Sequence, residues 1–594
     1  MPRTGLSPEF PVNAYACDSL TGKFCFIVAF LCCTSVAYAQ QPATKCIPPQ
    51  AVSEQLASHP TAAAYEALGR YYGDQRKFGC AASAFRSSLK LDPNSAQTHY
   101  YLALALLEQG DTQDAVLEFR RSVRLQPNQP EARLALGAAL SQINDVDEAV
   151  NEFQEILKID PRSITAIDWL AKAYISQKRY PAAIALLTDG PSDEVLQMDL
   201  VVAYSTFGDN DRALQLLTQM ERDRPDSAVP HSGVANIYIQ QRRYEDAAKE
   251  FQEALRLNSH DDASRASYIR TLLLLSKFHD ALPLAQEYQR RLPNDFDACY
   301  LLGVVDRDLG DYADAKTLLS AAVKINPQHY AARYNLGLVY AKSGEPAAAR
   351  TQLERAVQLD PTSADAHFQL ASVLRSLSLP DAERAQLAVY QSLMAERADK
   401  DVAAAKANQA KEFLEQGDAQ KAAELYRQAA EKDPKNSHLL YDLALALDRA
   451  GDPQGEQRAL ERAVELDPGF AAARNQLGFL LLQVGHTADG EKQFRIAISL
   501  DPHYAEAQNN LGVLYGQQGK NVEAERLFQA AVESDPGYAP SYVNLAAALA
   551  SQSRFAEAES MLQKALQIEP DNPETRAFLA QIESQLGRPS NVHP

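Results

Sequence analysis

The sequence predicts an all-α chain of stacked antiparallel helix pairs, and three observations carry that prediction. A small-residue position returns at Ala81, Ala115, Ala149 and Ala183, then at Ala213, Ala247, Ala281, Ala315 and Ala349. It returns again at Ala422, Ala524 and Ala558, with Glu383, Glu456 and Gly490 in the slots between. Twelve of the fourteen steps between these positions are 34 residues and the other two are 30 and 39, a period characteristic of helix-pair arrays. Within each period, apolar residues fall at helical spacing, and turn residues separate the two runs.

In chain order, Lys23 precedes a largely apolar run from Phe24 to Val36, and Ala37-Tyr38-Ala39 offers small residues where a signal peptidase reads, with Gln40 next. The run is shorter than the roughly 20 residues a bilayer span needs. Residues 1–39 are therefore expected to be a signal peptide cleaved between Ala39 and Gln40. An uncleaved anchor is the second reading. A start codon assigned too far upstream is the third, suggested by the twenty-two residues before Lys23, Glu9 and Asp18 among them.

Four of the seven cysteines lie in that leader, leaving Cys46, Cys80 and Cys299. In an oxidising compartment Cys46 would tie the lead-in segment, 40–61, to the first repeat through Cys80. The competing reading is two free thiols. A bridge would stabilise by around 3 to 4 kcal/mol in the chain-entropy model. Cys299 is expected to pack as a small apolar residue.

The unit from Ala96 to Gln129 shows why each repeat folds as a helix pair. Leu102, Ala103 and Leu106 share one helical face, and Gln109-Gly110-Asp111 ends that helix: glycine accepts the turn conformation and aspartate suits a cap. Ala115, Phe119 and Ser122 line the inner face of the second helix, and Pro127 stops it. Position 8 of the unit is small, as at Gly69, Gly137, Gly337 and Gly512, where two helices must approach closely. The large residue at position 24, as at Phe119 and Phe528, fills the wedge toward the next pair.

Two breaks interrupt the period. Thr188-Asp189-Gly190-Pro191-Ser192 shortens the second helix of the fourth unit, and the long glycine-free stretch from Pro380 to Glu415 is expected to be two helices either fused or joined by a short kink near Ala398-Asp399-Lys400. The expected organisation is a first block at 62–398, a second at 399–572, a capping helix at 573–587 and a disordered tail at 588–594. Ten units fall in the first block and five in the second.

Leu336-Gly337-x-x-Tyr340 followed by Ala349, Leu353, Ala356 and Pro361 resembles the tetratricopeptide repeat, as does Leu511-Gly512-x-x-Tyr515 followed by Ala524, Phe528, Ala531 and Pro536. Fifteen such units run from about Ala62 to Asn572. Ser259 and Ala395 depart from the terminal proline. The resemblance implies an α-solenoid coiled as a right-handed superhelix, with first helices lining a concave groove through positions 2, 5, 6, 9, 12 and 13. Position 6 then reads Asn335, Gln369, Asn408, Asp442, Gln476, Asn510 and Asn544 in the last seven units. Each amide offers a carbonyl acceptor and two N–H donors, so the row forms a candidate ladder for a peptide backbone. The alternative is that these side chains are solvated or packed against the next helix. Tyr100, Tyr101 and Trp169 occupy lining positions earlier in the chain and would suit apolar anchors, unless they turn into the core.

A net charge of −19 disfavours nucleic acid, whose binding needs Lys and Arg against phosphates. The Lys/Asn/Arg set that clamps acidic chaperone tails is missing from every run of units. Eleven histidines show no paired metal spacing, and neither a phosphate-cradling loop nor a serine elbow occurs, so no enzyme activity, metal or cofactor is expected. The functional expectation is an exported scaffold, periplasmic or envelope-associated, that binds a protein or peptide. It would meet a membrane only through an uncleaved leader. The alternative is a carbohydrate-handling accessory module, which would centre on Tyr101 and Trp169 because sugars stack on aromatics.

Overall fold

The computed structural model describes residues 46–48 and 50–587; the expected leader, its Ala39–Gln40 cleavage point and the tail at 588–594 lie outside the described residues. Thirty-one helices and no strand occur among them. Helices Ala96–Leu107 and Thr112–Leu125 show the local logic. Ser95 Oγ accepts from the Thr98 N–H at 3.2 Å to start the first, and Gly110 turns the chain out of it at φ 84°. The second helix buries Ala115 and Phe119 completely.

The small position is set by distance. A Cβ placed on Gly337 would lie 2.7 Å from Leu353 Cγ, and one on Gly512 would lie 2.6 Å from a Phe528 ring carbon. Both are closer than packed carbons tolerate, so only hydrogen fits where first and second helices cross.

The described residues form two compact units, 46–225 and 226–587. The first has one continuous core running from Leu68 to Ala203. The Cys46–Cys80 disulfide, with Cα atoms 5.5 Å apart, fastens the chain start to helix Phe78–Leu91. Helix Tyr180–Thr188 has 9 residues where Val146–Ile159 has 14, which accounts for the 30-residue step.

The core of the second unit comes in pieces. One large piece, Ala410–Leu481, is followed by another from Phe494 to Ile582, which includes Leu579 and Ile582 of the terminal helix Pro573–Gln585. Between Leu374 and Ala403 no residue is buried. Of the two forms expected around Ala398-Asp399-Lys400, the fused one is found: Pro380–Glu415 is one continuous helix of 36 residues. Nothing in its sequence breaks a helix after Pro380, and ion pairs Lys400–Glu396 at 2.8 Å and Lys432–Asp399 at 2.9 Å span the very point. The block boundary drawn at 398/399 therefore falls inside a rod, and the compact units divide at 225/226.

Candidate functional site

The seven position-6 residues do not form a uniform ladder. Asn335 is buried: its Nδ2 donates to Tyr300 Oη at 3.2 Å and to the Ala331 carbonyl at 2.8 Å, and its Oδ1 accepts from Arg307. Its hydrogen-bonding capacity is spent within the scaffold, so it is not a rung. Gln476 donates to Glu456 Oε1 at 3.0 Å. Glu456 stands, buried, where other units have alanine, and burial raises its carboxyl above the usual range. Gln369 is half-buried and Asn408 is exposed; Asp442 is half-buried, with its carboxyl also raised by burial.

Asn510 and Asn544 behave alike. Asn510 Nδ2 donates to Asn475 Oδ1 at 3.0 Å, and one period later Asn544 Nδ2 donates to Asn509 Oδ1 at 2.8 Å. Each bond joins position 6 of one first helix to position 5 of the preceding one. Asn475 and Asn509 are buried, whereas Asn510 and Asn544 are half-buried. The bond fixes the outer amide and leaves its Oδ1 and second N–H without a protein partner among the described residues.

The aromatic expectation is corrected at Tyr100. This side chain is buried, with its ring 5.8 Å from that of Phe119, because position 5 there faces the second helix of its own pair. Tyr101 is half-buried on Phe85, rings 5.8 Å apart, and Trp169 is half-buried on Phe153 at 5.9 Å. The surface available for stacking shrinks accordingly.

Three clusters went unread in the sequence. Asp168 and Asp199, at positions 5 and 6 of successive units, lie close enough for each carboxyl to act on the other, with Lys172 paired to Asp168 and its Nζ 3.8 Å from Asp199 Oδ1. Burial first, then the neighbouring Asp168, drives the Asp199 carboxyl far upward. A second cluster gathers Phe296, Tyr300 and His329, with the histidine ring 4.6 Å from Phe296 and 5.4 Å from Tyr300. Arginines are built into it: Arg270 pairs with Asp297 at 2.8 Å, and Arg307 pairs with Asp308 at 2.6 Å while holding Asn335.

The third cluster lies around Glu506. Tyr504 Oη donates to Glu506 Oε2 at 3.0 Å, and the Asn475 amide hydrogen-bonds the same tyrosine. Tyr441 packs 5.1 Å from Phe470, which stacks 4.5 Å from His438. Phe470, Tyr504 and Tyr538 each stand one residue before a first helix, at 34-residue spacing. That recurrence was visible in the sequence, but at a position outside the expected groove set. Burial and then the Glu506 charge raise the hydroxyls of Tyr441, Tyr504 and Tyr538.

Two family models, each described as tetratricopeptide repeat, match this chain. One matches residues 66–130, 300–364, 340–401, 408–471 and 475–539, and the other 106–168, 144–197, 205–273 and 549–590. The chain belongs to the tetratricopeptide repeat family. Among solved structures it is similar to the APC/C hetero-tetramer Cut9–Hcn1, at 14% identity over 89% of this chain and 98% of that one, TM-score 0.33. Yeast Tom70 aligns at 14% identity over 89% of this chain and 96% of that one, TM-score 0.31. MamA from Desulfovibrio magneticus RS-1, residues 41 to end, aligns at 22% identity over 28% of this chain and 94% of that one, TM-score 0.27. Comparison with curated proteins finds no match. As a tetratricopeptide repeat protein the chain is an interaction scaffold. No described helix is long and apolar enough to cross a membrane.

Proposed function

We propose that this protein is an exported scaffold that holds an extended segment of a partner protein on the first helices of its last three repeats. The observation that carries the reading is the repeated amide pair, Asn475–Asn510 and Asn509–Asn544. Each pair fixes one outer amide in orientation while keeping an acceptor and a donor for a ligand backbone. A row of oriented amides at repeat spacing grips main chain without selecting side chains, because every peptide unit presents the same groups. Export is supported by the leader pattern and by the Cys46–Cys80 disulfide, a bond that persists in oxidising compartments.

The test is crosslinking in the native envelope, identification of the bound segment by mass spectrometry, and titration of that segment against the Asn510→Ala/Asn544→Ala double variant. Weaker binding is expected, alongside a lowered melting curve because buried Asn475 and Asn509 each lose a donor, with the variant still folded at the temperature of the titration; full affinity would end the reading. The mass of the mature protein checks cleavage after Ala39.

A further inference from the structure

Two aromatic clusters on first helices of the same unit differ in one respect. Around Tyr300 and Tyr334 the protein supplies its own cations: the positive charges of Arg270 and Arg307 act on Tyr300, and that of Arg307 acts on Tyr334. Around Glu506 no cation pairs with the carboxylate among the described residues. The charges that weigh most on Tyr441, Tyr504 and Tyr538 are the carboxylates of Glu506, Asp442 and Asp535. Glu506 is exposed and makes no ion pair among the described residues; the nearby basic groups, His438 and Lys411, act on Asp442 instead.

A carboxylate held by a tyrosine hydroxyl, with Tyr441 and Tyr538 near enough to feel its charge, is an arrangement that attracts a cationic side chain through ion pairing and through ring faces. Phe470, Tyr504 and Tyr538 repeat these surfaces at 34-residue spacing along successive first helices. The whole chain carries a net charge of −19, which favours approach of a basic partner. We infer that Glu506, with Tyr441, Tyr504 and Tyr538, forms a receptor for a lysine or arginine side chain of the bound partner segment. The inference rests on the peptide-holding reading, which it deepens: the amide pairs grip main chain, and the Glu506 cluster selects positive charge. The two are neighbours, since the Asn475 that holds Asn510 also acts on the hydroxyl of Tyr504, which donates to Glu506.

The test uses the full chain and three fluorescein-labelled decapeptides, alternating glycine with arginine, glutamate or glutamine, read by fluorescence anisotropy at low and moderate salt. The arginine peptide is expected to bind tightest and to weaken with salt. Glu506→Gln is expected to weaken the arginine peptide about 3- to 10-fold and leave the glutamine peptide unchanged. Tyr504→Phe, which keeps the ring and removes the hydroxyl that holds Glu506, should weaken the arginine peptide by a smaller factor. Equal binding of all three peptides, or no effect of Glu506→Gln on the arginine peptide, overturns the cation receptor. In that event, loss of glutamine-peptide binding in the Asn510→Ala/Asn544→Ala variant would leave the peptide-holding reading standing. Binding of none of the three overturns both.

Discussion

The first helices around 296–335 and those around 438–544 are built from the same repeat and similar aromatic residues, yet they dispose of charge in opposite ways. In the former, Asp297 has Arg270 at 2.8 Å and the buried Asn335 has Arg307. In the latter, Glu506 has the Tyr504 hydroxyl and no ion pair among the described residues. Asp199 offers a third solution: its neighbour Lys172 stands 3.8 Å away, and burial beside Asp168 raises the carboxyl so that it retains a proton. The difference teaches that position number within a repeat identifies which side chains face one another, while the neighbouring repeat decides whether they are consumed or left for a partner.

The comparison assumes equal scaffolds, and the largest expected effects check that assumption. Gly337→Leu and Gly512→Leu should each cost about 1–3 kcal/mol through overpacking, against Leu353 and Phe528 respectively. Thermal unfolding that fell in one variant only would mean that packing, and not charge, separates the two regions. Arg307→Ala should destabilise by a similar amount, about 1–3 kcal/mol, because buried Asn335 loses its donor. Chemical denaturation measures it, and an unchanged midpoint would show that Asn335 does not depend on its arginine.

Next in size is a pH effect at the third region. Because the folded carboxyl of Asp199 titrates above its unfolded value, its contribution is complete below about pH 4 and is lost as pH rises toward the folded value. Asp199→Asn, which removes the charge, should therefore gain stability over wild type as pH increases, by roughly 1 to 2 kcal/mol at pH 8. Parallel melting curves from pH 4 to pH 8 would refute it. The smallest effect is at Glu506: Glu506→Gln should shift stability by less than about 0.5 kcal/mol, since the carboxylate is exposed and has no ion pair. A large loss would make Glu506 a structural residue and remove the contrast.

Much of the fold was legible because repetition makes many weak signals agree in phase. The small residue at position 8, the large one at position 24 and the turn glycine each recur, and each has a steric cause within one helix pair. The site was less legible. Asn335 and Asn510 are the same residue at the same position, yet Arg307 and Tyr300 engage the first on both its carbonyl and its amide, whereas Asn475 engages only the amide of the second. Tyr100 occupies an expected lining position but packs on Phe119. The Phe470, Tyr504 and Tyr538 row escaped notice because it stands one residue outside the first helices.

By itself the sequence determined the helix pairs, their period, the shortened fourth unit and the places that must be small, since all of these follow from spacing along one chain segment. Only the tertiary structure decided that Pro380–Glu415 is one continuous helix, that Asn335 is spent and that Glu506 has no ion-pair partner among the described residues. Those outcomes depend on which atoms of one repeat come within hydrogen-bonding or ion-pairing distance of the next.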